Sequence, residues 1–166
     1  ELELIYRSGL LHDIGKISIP DEILNKPGRL TAEEFAVIKG HSMAGANMLS
    51  ELPLDQKEEP LVKTAYEICR WHHERYDGGG YPDGLKGEEI PVSAQVVALA
   101  DVYDALTSER CYKDAYSHEK AIEMILAGQC GAFNPLMLEC LLDISSSLKK
   151  KMGYKSKERY EQTDLS

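Results

Sequence analysis

This sequence is short of positive charge, of paired cysteines and of long apolar runs. Lysine and arginine number 19 against 28 aspartates and glutamates, a formal net charge of −9. A chain this acidic has no broad face for duplex DNA or for an anionic membrane, since both need a basic surface. An anionic ligand would have to be met by a few placed cations or by metals. No apolar run approaches the ~20 residues of a membrane-spanning helix, and no signal-peptide pattern opens the chain. The four cysteines, Cys69, Cys111, Cys130 and Cys140, form no C-x-x-C pair. That excludes a zinc ribbon and a thioredoxin-type motif, and it fits reduced thiols in a cytoplasmic protein. Also missing are an internal repeat and any period-2 alternation long enough for a sheet.

What is present fits one helical domain. The 166 residues are 43% hydrophobic and 28% charged, a composition that can bury a core. Glu1 is not Met and already lies in a helical pattern, so the chain reads as a piece of a longer protein. Apolar spacing predicts a first helix over 2–14, then a loop from Ile17 to Leu30 carrying Pro20, Pro27 and Gly28. Thr31 with Glu34 makes a capping box that opens a second helix to about Leu52. After a polar link at 55–60, a third helix runs to about Glu74. Five glycines and two prolines make 76–92 a loop. Ser93 is read as the cap of the next helix, and Ser117 as the cap of a fifth over 118–127. Asn134-Pro135 opens a sixth helix to about Lys150. The expected fold class is all-α, with a core over 1–150 and a polar tail over 151–166.

The chemistry is carried by histidine. Of the five, His12, His41, His72 and His73 fall near helix ends beside glycines or carboxylates, whereas His118 is read as a surface residue in a first helical turn. Neighbours on an α-helix point about 100° apart, so the adjacent pair His12-Asp13 cannot chelate one ion from one helix face. It can serve two neighbouring ions, or one ion where a helix end opens. Imidazole with carboxylate suits iron, manganese or zinc rather than calcium. A lone histidine is more often structural, and spacing alone leaves both readings open. Lys16, Arg110 and Lys113 likewise read as solvated charges or as ligand cations, and Tyr81 as loop packing or as a site residue.

A resemblance narrows these alternatives. His12-Asp13-Ile14-Gly15-Lys16 is similar to the HD-x-GK signature of the HD hydrolase superfamily, and residues His72 to Pro82 resemble the HHE-x-x-DG-x-GYP signature of its HD-GYP branch. Asn25-Lys26-Pro27-Gly28, His41 and the run Ala100 to Thr107 also match the pattern, so the resemblance covers about residues 8 to 142. It implies a helical bundle with a glycine-rich loop near a site of two or three divalent ions. Iron is the implied metal, with manganese as the alternative and zinc, nickel or magnesium as further occupants. It implies that His12, Asp13, His41, His72, His73 and Asp101 are metal ligands, Asp13 bridging two ions, and that Asp13 and Lys16 are catalytic. Lys16, Tyr81, Arg110 and Lys113 are implied to contact the substrate's phosphates. In the family a further ligand comes from a helix upstream of the HD motif, and this chain begins too late to hold it.

The implied activity is metal-dependent hydrolysis of cyclic di-GMP to linear pGpG, and in some members on to GMP, in the bacterial cytoplasm. An upstream sensory or regulatory domain and a homodimer are the partners the resemblance allows, with no DNA and no membrane contact by this segment. Two other readings compete. One is an HD phosphohydrolase acting on another nucleotide, and the other is a non-catalytic module that binds a cyclic dinucleotide or a partner protein.

Overall fold

Short polar side chains decide where several helices begin. The Thr31 hydroxyl accepts from the Glu34 N–H at 3.2 Å, and the Glu34 carboxylate accepts from the Thr31 N–H at 2.7 Å, closing the expected capping box. Lys26 donates to both oxygens of the same carboxylate, at 2.7 and 2.8 Å, and ties the preceding loop to the helix start. The Ser117 hydroxyl accepts from the Lys120 N–H at 3.2 Å, so that cap also forms.

The computed structural model describes residues 1–109 and 114–163, with side chains as far as Lys151. The order of elements is α1 (Leu2–Gly9), a 3-10 helix (Ile14–Ser18), α2 (Asp21–Leu24), α3 (Ala32–Ser50), α4 (Leu54–Lys57), α5 (Pro60–Trp71), a second 3-10 turn (Gly87–Glu89), α6 (Val92–Thr107), α7 (His118–Leu126) and α8 (Pro135–Thr163). No strand occurs among the described residues, so the fold is all-α. None of these helices is long and apolar enough to cross a membrane. The chain divides into two units, Glu1–Asn134 and a second that begins at Pro135.

Four details depart from the expected elements. The first helix stops at Gly9 rather than running to Ile14, because the chain tightens into i→i+3 bonds: Leu11 to Ser8, His12 to Gly9, Ile14 to Leu11 and Lys16 to Asp13. Ser93 is not a cap. The helix α6 starts one residue earlier, after Pro91, and the Ser93 hydroxyl donates to Glu67 at 2.9 Å, joining α6 to α5. The polar link holds the short helix α4, with Asp55 in its first turn and Lys57 in its last, the charge order that a helix dipole favours. The last helix passes Lys150 and reaches Thr163, through a stretch rich in the helix formers Lys, Glu, Arg and Gln.

The core of the first unit lies around α5, which packs against α3, α1 and α6. Ala46, Leu49, Ala65 and Cys69 are buried there, with Leu11, Leu52, Val62 and Tyr66 packed around them. Small side chains at this seam let the backbones approach closely. The closest approach is at the 3-10 helix. A Cβ on Gly15 would overlap the His41 carbonyl oxygen and the Gly45 nitrogen, so only glycine lets this turn seat on α3. That contact brings the segment carrying His12 and Asp13 against the middle of α3, which carries His41.

Candidate metal centre

Three of the histidines, His12, His41 and His72, are aimed by backbone carbonyls. His12 Nδ1 lies 2.8 Å from the Gly9 oxygen, His41 Nδ1 2.7 Å from the Ile38 oxygen, and His72 Nδ1 2.8 Å from the Ile68 oxygen. A carbonyl oxygen only accepts, so the hydrogen of each neutral ring sits on Nδ1 and the lone pair on Nε2. Those bare nitrogens converge. His41 Nε2 is 3.4 Å from His72 Nε2 and 3.2 Å from His73 Nε2. His41, His72 and His73 together offer ligand atoms within 4.8 Å of one another. Lone pairs facing each other at such distances repel unless a cation lies between them, so the donor set fits a metal ion.

The carboxylates complete the arrangement. His41 Nε2 is 3.3 Å from Asp13 Oδ1, and His12 Nε2 is 3.3 Å from Asp13 Oδ2 and 3.8 Å from Asp101 Oδ1. Asp13 thus stands between two groups of donors, with one oxygen toward His41 and the other toward His12. It is the cap residue just before the 3-10 helix, at φ −101° and ψ 8°, where the backbone leaves helical geometry. This is the geometry that lets adjacent residues His12 and Asp13 face one place. Lys16, one turn on, donates to Asp13 Oδ2 at 2.6 Å.

Charge follows position. His72 is fully buried and His41 nearly so. Burial pushes the His72 imidazole down to about 4 and the His73 imidazole to about 2, with the neighbouring imidazoles adding to the shift, and burial lowers His41 as well. All three are therefore neutral bases, the form that ligates metals. The hydrogen bond with Asp13 raises His12 against the opposing effect of burial. Burial alone would raise Asp13, but hydrogen bonds from His12 and Lys16 outweigh it and hold the carboxyl well below its ordinary range.

The glycine-rich loop is pinned to the same place. Tyr81 stacks on His73 with centroids 4.7 Å apart and planes at 24°. The Tyr81 N–H donates to the His73 carbonyl at 3.3 Å, and a Cβ on Gly80 would strike the backbone of residues 73–75. Asp77 accepts from the Gly79 N–H at 2.9 Å, ordering the turn as a short Asx contact. Arg70 and the Trp71 indole both donate to Asp83, at 2.7 Å each for the shorter contacts. Asp104 accepts from the Ser108 hydroxyl at 3.2 Å near the end of α6.

All six expected ligands therefore come together, with Lys16 and Tyr81 at their edge. Arg110 and Lys113 lie outside the described residues. His118 is not a plain surface residue: it is half-buried, with its Nδ1 2.7 Å from the Tyr103 hydroxyl.

Sequence reasoning passed over Glu74, which is buried and accepts from the Asp83 and Gly84 N–H groups at 2.7 and 3.0 Å. It also passed over Arg75, whose guanidinium donates to the Glu74 carbonyl at 2.9 Å and lies over the Phe133 ring. A buried acid directly after two histidines was the available signal for the first. For Arg75 there was none, because its partners at 131–133 are distant in sequence.

An all-α scaffold here converges buried, neutral imidazoles on a carboxylate shared between two donor groups, a donor set that could hold a metal ion. The chain belongs to the HD domain family, whose model matches residues 2–133 and so ends beside the boundary between the two units. It is 48% identical over 143 residues to a cyclic di-GMP phosphodiesterase of Vibrio cholerae, covering 86% of this chain and 29% of that protein. It is 42% identical over 153 residues to the cyclic di-GMP phosphodiesterase response regulator RpfG of Xanthomonas campestris, covering 92% of this chain and 39% of that protein. A 3'3'-cGAMP-specific phosphodiesterase of Vibrio cholerae is 41% identical over 143 residues, 86% of this chain and 26% of the relative. The chain thus spans well under half the length of these relatives.

Proposed function

We propose that this segment is the catalytic core of an HD-GYP phosphodiesterase that opens cyclic di-GMP to linear pGpG. The observation that carries the reading is the convergence of the His41, His72 and His73 ring nitrogens, with Asp13 reaching both that group and His12. His41, His72 and His73 would hold one divalent ion, His12 and Asp101 another, and Asp13 would link them. Iron is the expected metal and manganese the alternative. Ions held there would polarise the phosphodiester and lower the pKa of a water, which is why no side-chain nucleophile is needed.

The chain's own residues do the rest. The backbone carbonyls of Gly9, Ile38 and Ile68 orient His12, His41 and His72 before any ligand arrives, so little reorganisation is needed. Lys16 is a cation at the mouth of the cluster, 40% exposed, and can transfer its charge from Asp13 to an incoming phosphate. The Tyr81 ring keeps His73 in place from the open side. Arg110 and Lys113 are assigned to the substrate's phosphates by resemblance alone.

The sister substrate 3'3'-cGAMP is a second reading, favoured by the relatives that act on it. The deciding experiment is metal analysis together with turnover of cyclic di-GMP and 3'3'-cGAMP, the products separated by chromatography. Metal-replete protein that hydrolyses neither overturns both readings. An upstream sensory domain and a homodimer remain part of the proposal, tested on the longer chain by sequencing and by light scattering.

A further inference from the structure

Outside the metal cluster, one cleft combines an exposed aromatic ring with charge and lies beside the proposed site. It has a volume of about 460 Å³ and is lined by Gly28, Arg29, Leu30 and Phe35. Phe35 is 47% exposed, unusual for one of only two phenylalanines in the chain. It sits one turn before Lys39 on α3, and the Lys39 ammonium lies 5.0 Å from the Phe35 ring and 5.1 Å from the Tyr81 ring. Tyr81 in turn stacks on His73. Phe35 and Tyr81 are therefore at most about 10 Å apart, joined by one shared cation. Lys39 thus links the ring stacked on His73 to the ring that lines the cleft.

We infer that this cleft is a nucleobase subsite, in which Phe35 stacks on a guanine of the dinucleotide and Arg29 reads its edge. The inference rests on the substrate reading above. Its physical grounds are separate from the metal ligands. A flat, half-exposed ring is what a base stacks on, and every base offers a π-face. An arginine fork matches the O6 and N7 acceptors of guanine, whereas adenine presents a donor at position 6. Arg29 is exposed and makes no ion pair among the described residues, so its donors are not committed elsewhere. The cleft wall is held from behind, because Lys26 is tied to the Glu34 carboxylate that also caps α3. The Lys39 ammonium between the two rings supplies positive charge where a phosphate would leave the metals and meet the base. The chain's acidity makes such a local cation necessary.

The test compares metal-replete wild type with Phe35→Ala, Phe35→Trp and Arg29→Ala. The substrates are cyclic di-GMP, 3'3'-cGAMP, cyclic di-AMP and bis(p-nitrophenyl) phosphate, the last a phosphodiester with no nucleobase. In Phe35→Ala the ratio of kcat/KM for cyclic di-GMP to that for bis(p-nitrophenyl) phosphate falls roughly five- to a hundredfold, the range expected of one base–aromatic stack. The loss lies mostly in KM, and Phe35→Trp restores it. In Arg29→Ala the preference for cyclic di-GMP over cyclic di-AMP falls about tenfold or more. Equal fractional losses on all substrates, or wild-type ratios in both alanine variants, overturn the subsite. A wild-type protein that cleaves bis(p-nitrophenyl) phosphate but no cyclic dinucleotide overturns the substrate reading instead, and the subsite with it.

Discussion

Asp13 is the residue on which both donor groups depend. Its two oxygens face different histidines, and Lys16 balances its charge. Asp13→Ala is expected to lower turnover by on the order of a hundredfold or more, since even outer-sphere supports of metal ligands are worth 10- to 100-fold. Metal content, measured by plasma emission, falls in parallel, while the helical circular dichroism signal stays. Normal turnover with metals replete would refute the shared-ligand role. Glu74 acts through the loop instead. Its Oε1 holds the N–H groups of residues 83 and 84, while its buried Oε2 has no hydrogen-bond partner among the described residues. Glu74→Gln keeps the accepting oxygen and should retain most activity. Glu74→Ala removes the acceptor and leaves two N–H groups unpaired, costing roughly 1–3 kcal/mol of stability by urea denaturation.

Between elements, glycine contacts set the distances at the candidate metal centre. Gly15 packs its backbone on α3, and Gly45 opposes it from that helix. Gly15→Ala drives a methyl group into the His41 carbonyl, which belongs to the helix holding a proposed ligand. Overpacking of this kind costs about 1–3 kcal/mol or more, and here it also moves Asp13 away from His41. The expected result is a lowered Tm together with loss of metal, whereas Gly40→Ala, in open space on the same helix, leaves metal content unchanged and raises Tm slightly, alanine being the better helix former. Gly131 plays a similar part at the far end of the first unit. At φ +99°, with the Arg75 side chain where a Cβ would go, it lets the 131–133 segment close over Arg75 and donate no steric conflict to the loop. The Ala132 carbonyl then accepts from the Tyr76 N–H at 2.9 Å.

Taken together, the buried imidazoles make stability depend on pH and on metal. His41, His72 and His73 have pKa values depressed by burial, so below about 6.5 the unfolded chain binds protons that the folded chain refuses. Stability of the metal-free protein therefore falls as pH drops from 6.5 toward 4. His12, whose pKa is raised, is protonated in both states below 6.5 and adds no slope there; its contribution is lost only as pH rises above 6.5. The net slope is roughly 1–3 kcal/mol per pH unit, read as a falling Tm between pH 7 and 5 in chelator. A flat Tm over that range would contradict neutral burial of the cluster. Divalent metal should reverse the trend, adding about 2.7 kcal/mol at a hundred times its Kd.

Much of this was legible from residue order. The capping box at Thr31, the cap at Ser117, the helical class and the six candidate ligands all follow from local spacing or from signature resemblance, because caps and motifs are short-range. Residue order decided less where backbones meet across long separations. Whether the first helix reached Ile14 depended on Gly15 finding His41 and Gly45, contacts that residues 2–14 do not contain. Ser93 had the chemistry of a cap, yet packing of α6 on α5 gave its hydroxyl to Glu67. Glu74, Arg75 and the Lys39 link from Phe35 to Tyr81 gain their meaning only from partners that folding brings near. Composition and motif determined which side chains are the candidates to carry the chemistry. Close packing of small residues between helices determined the direction in which each of them points.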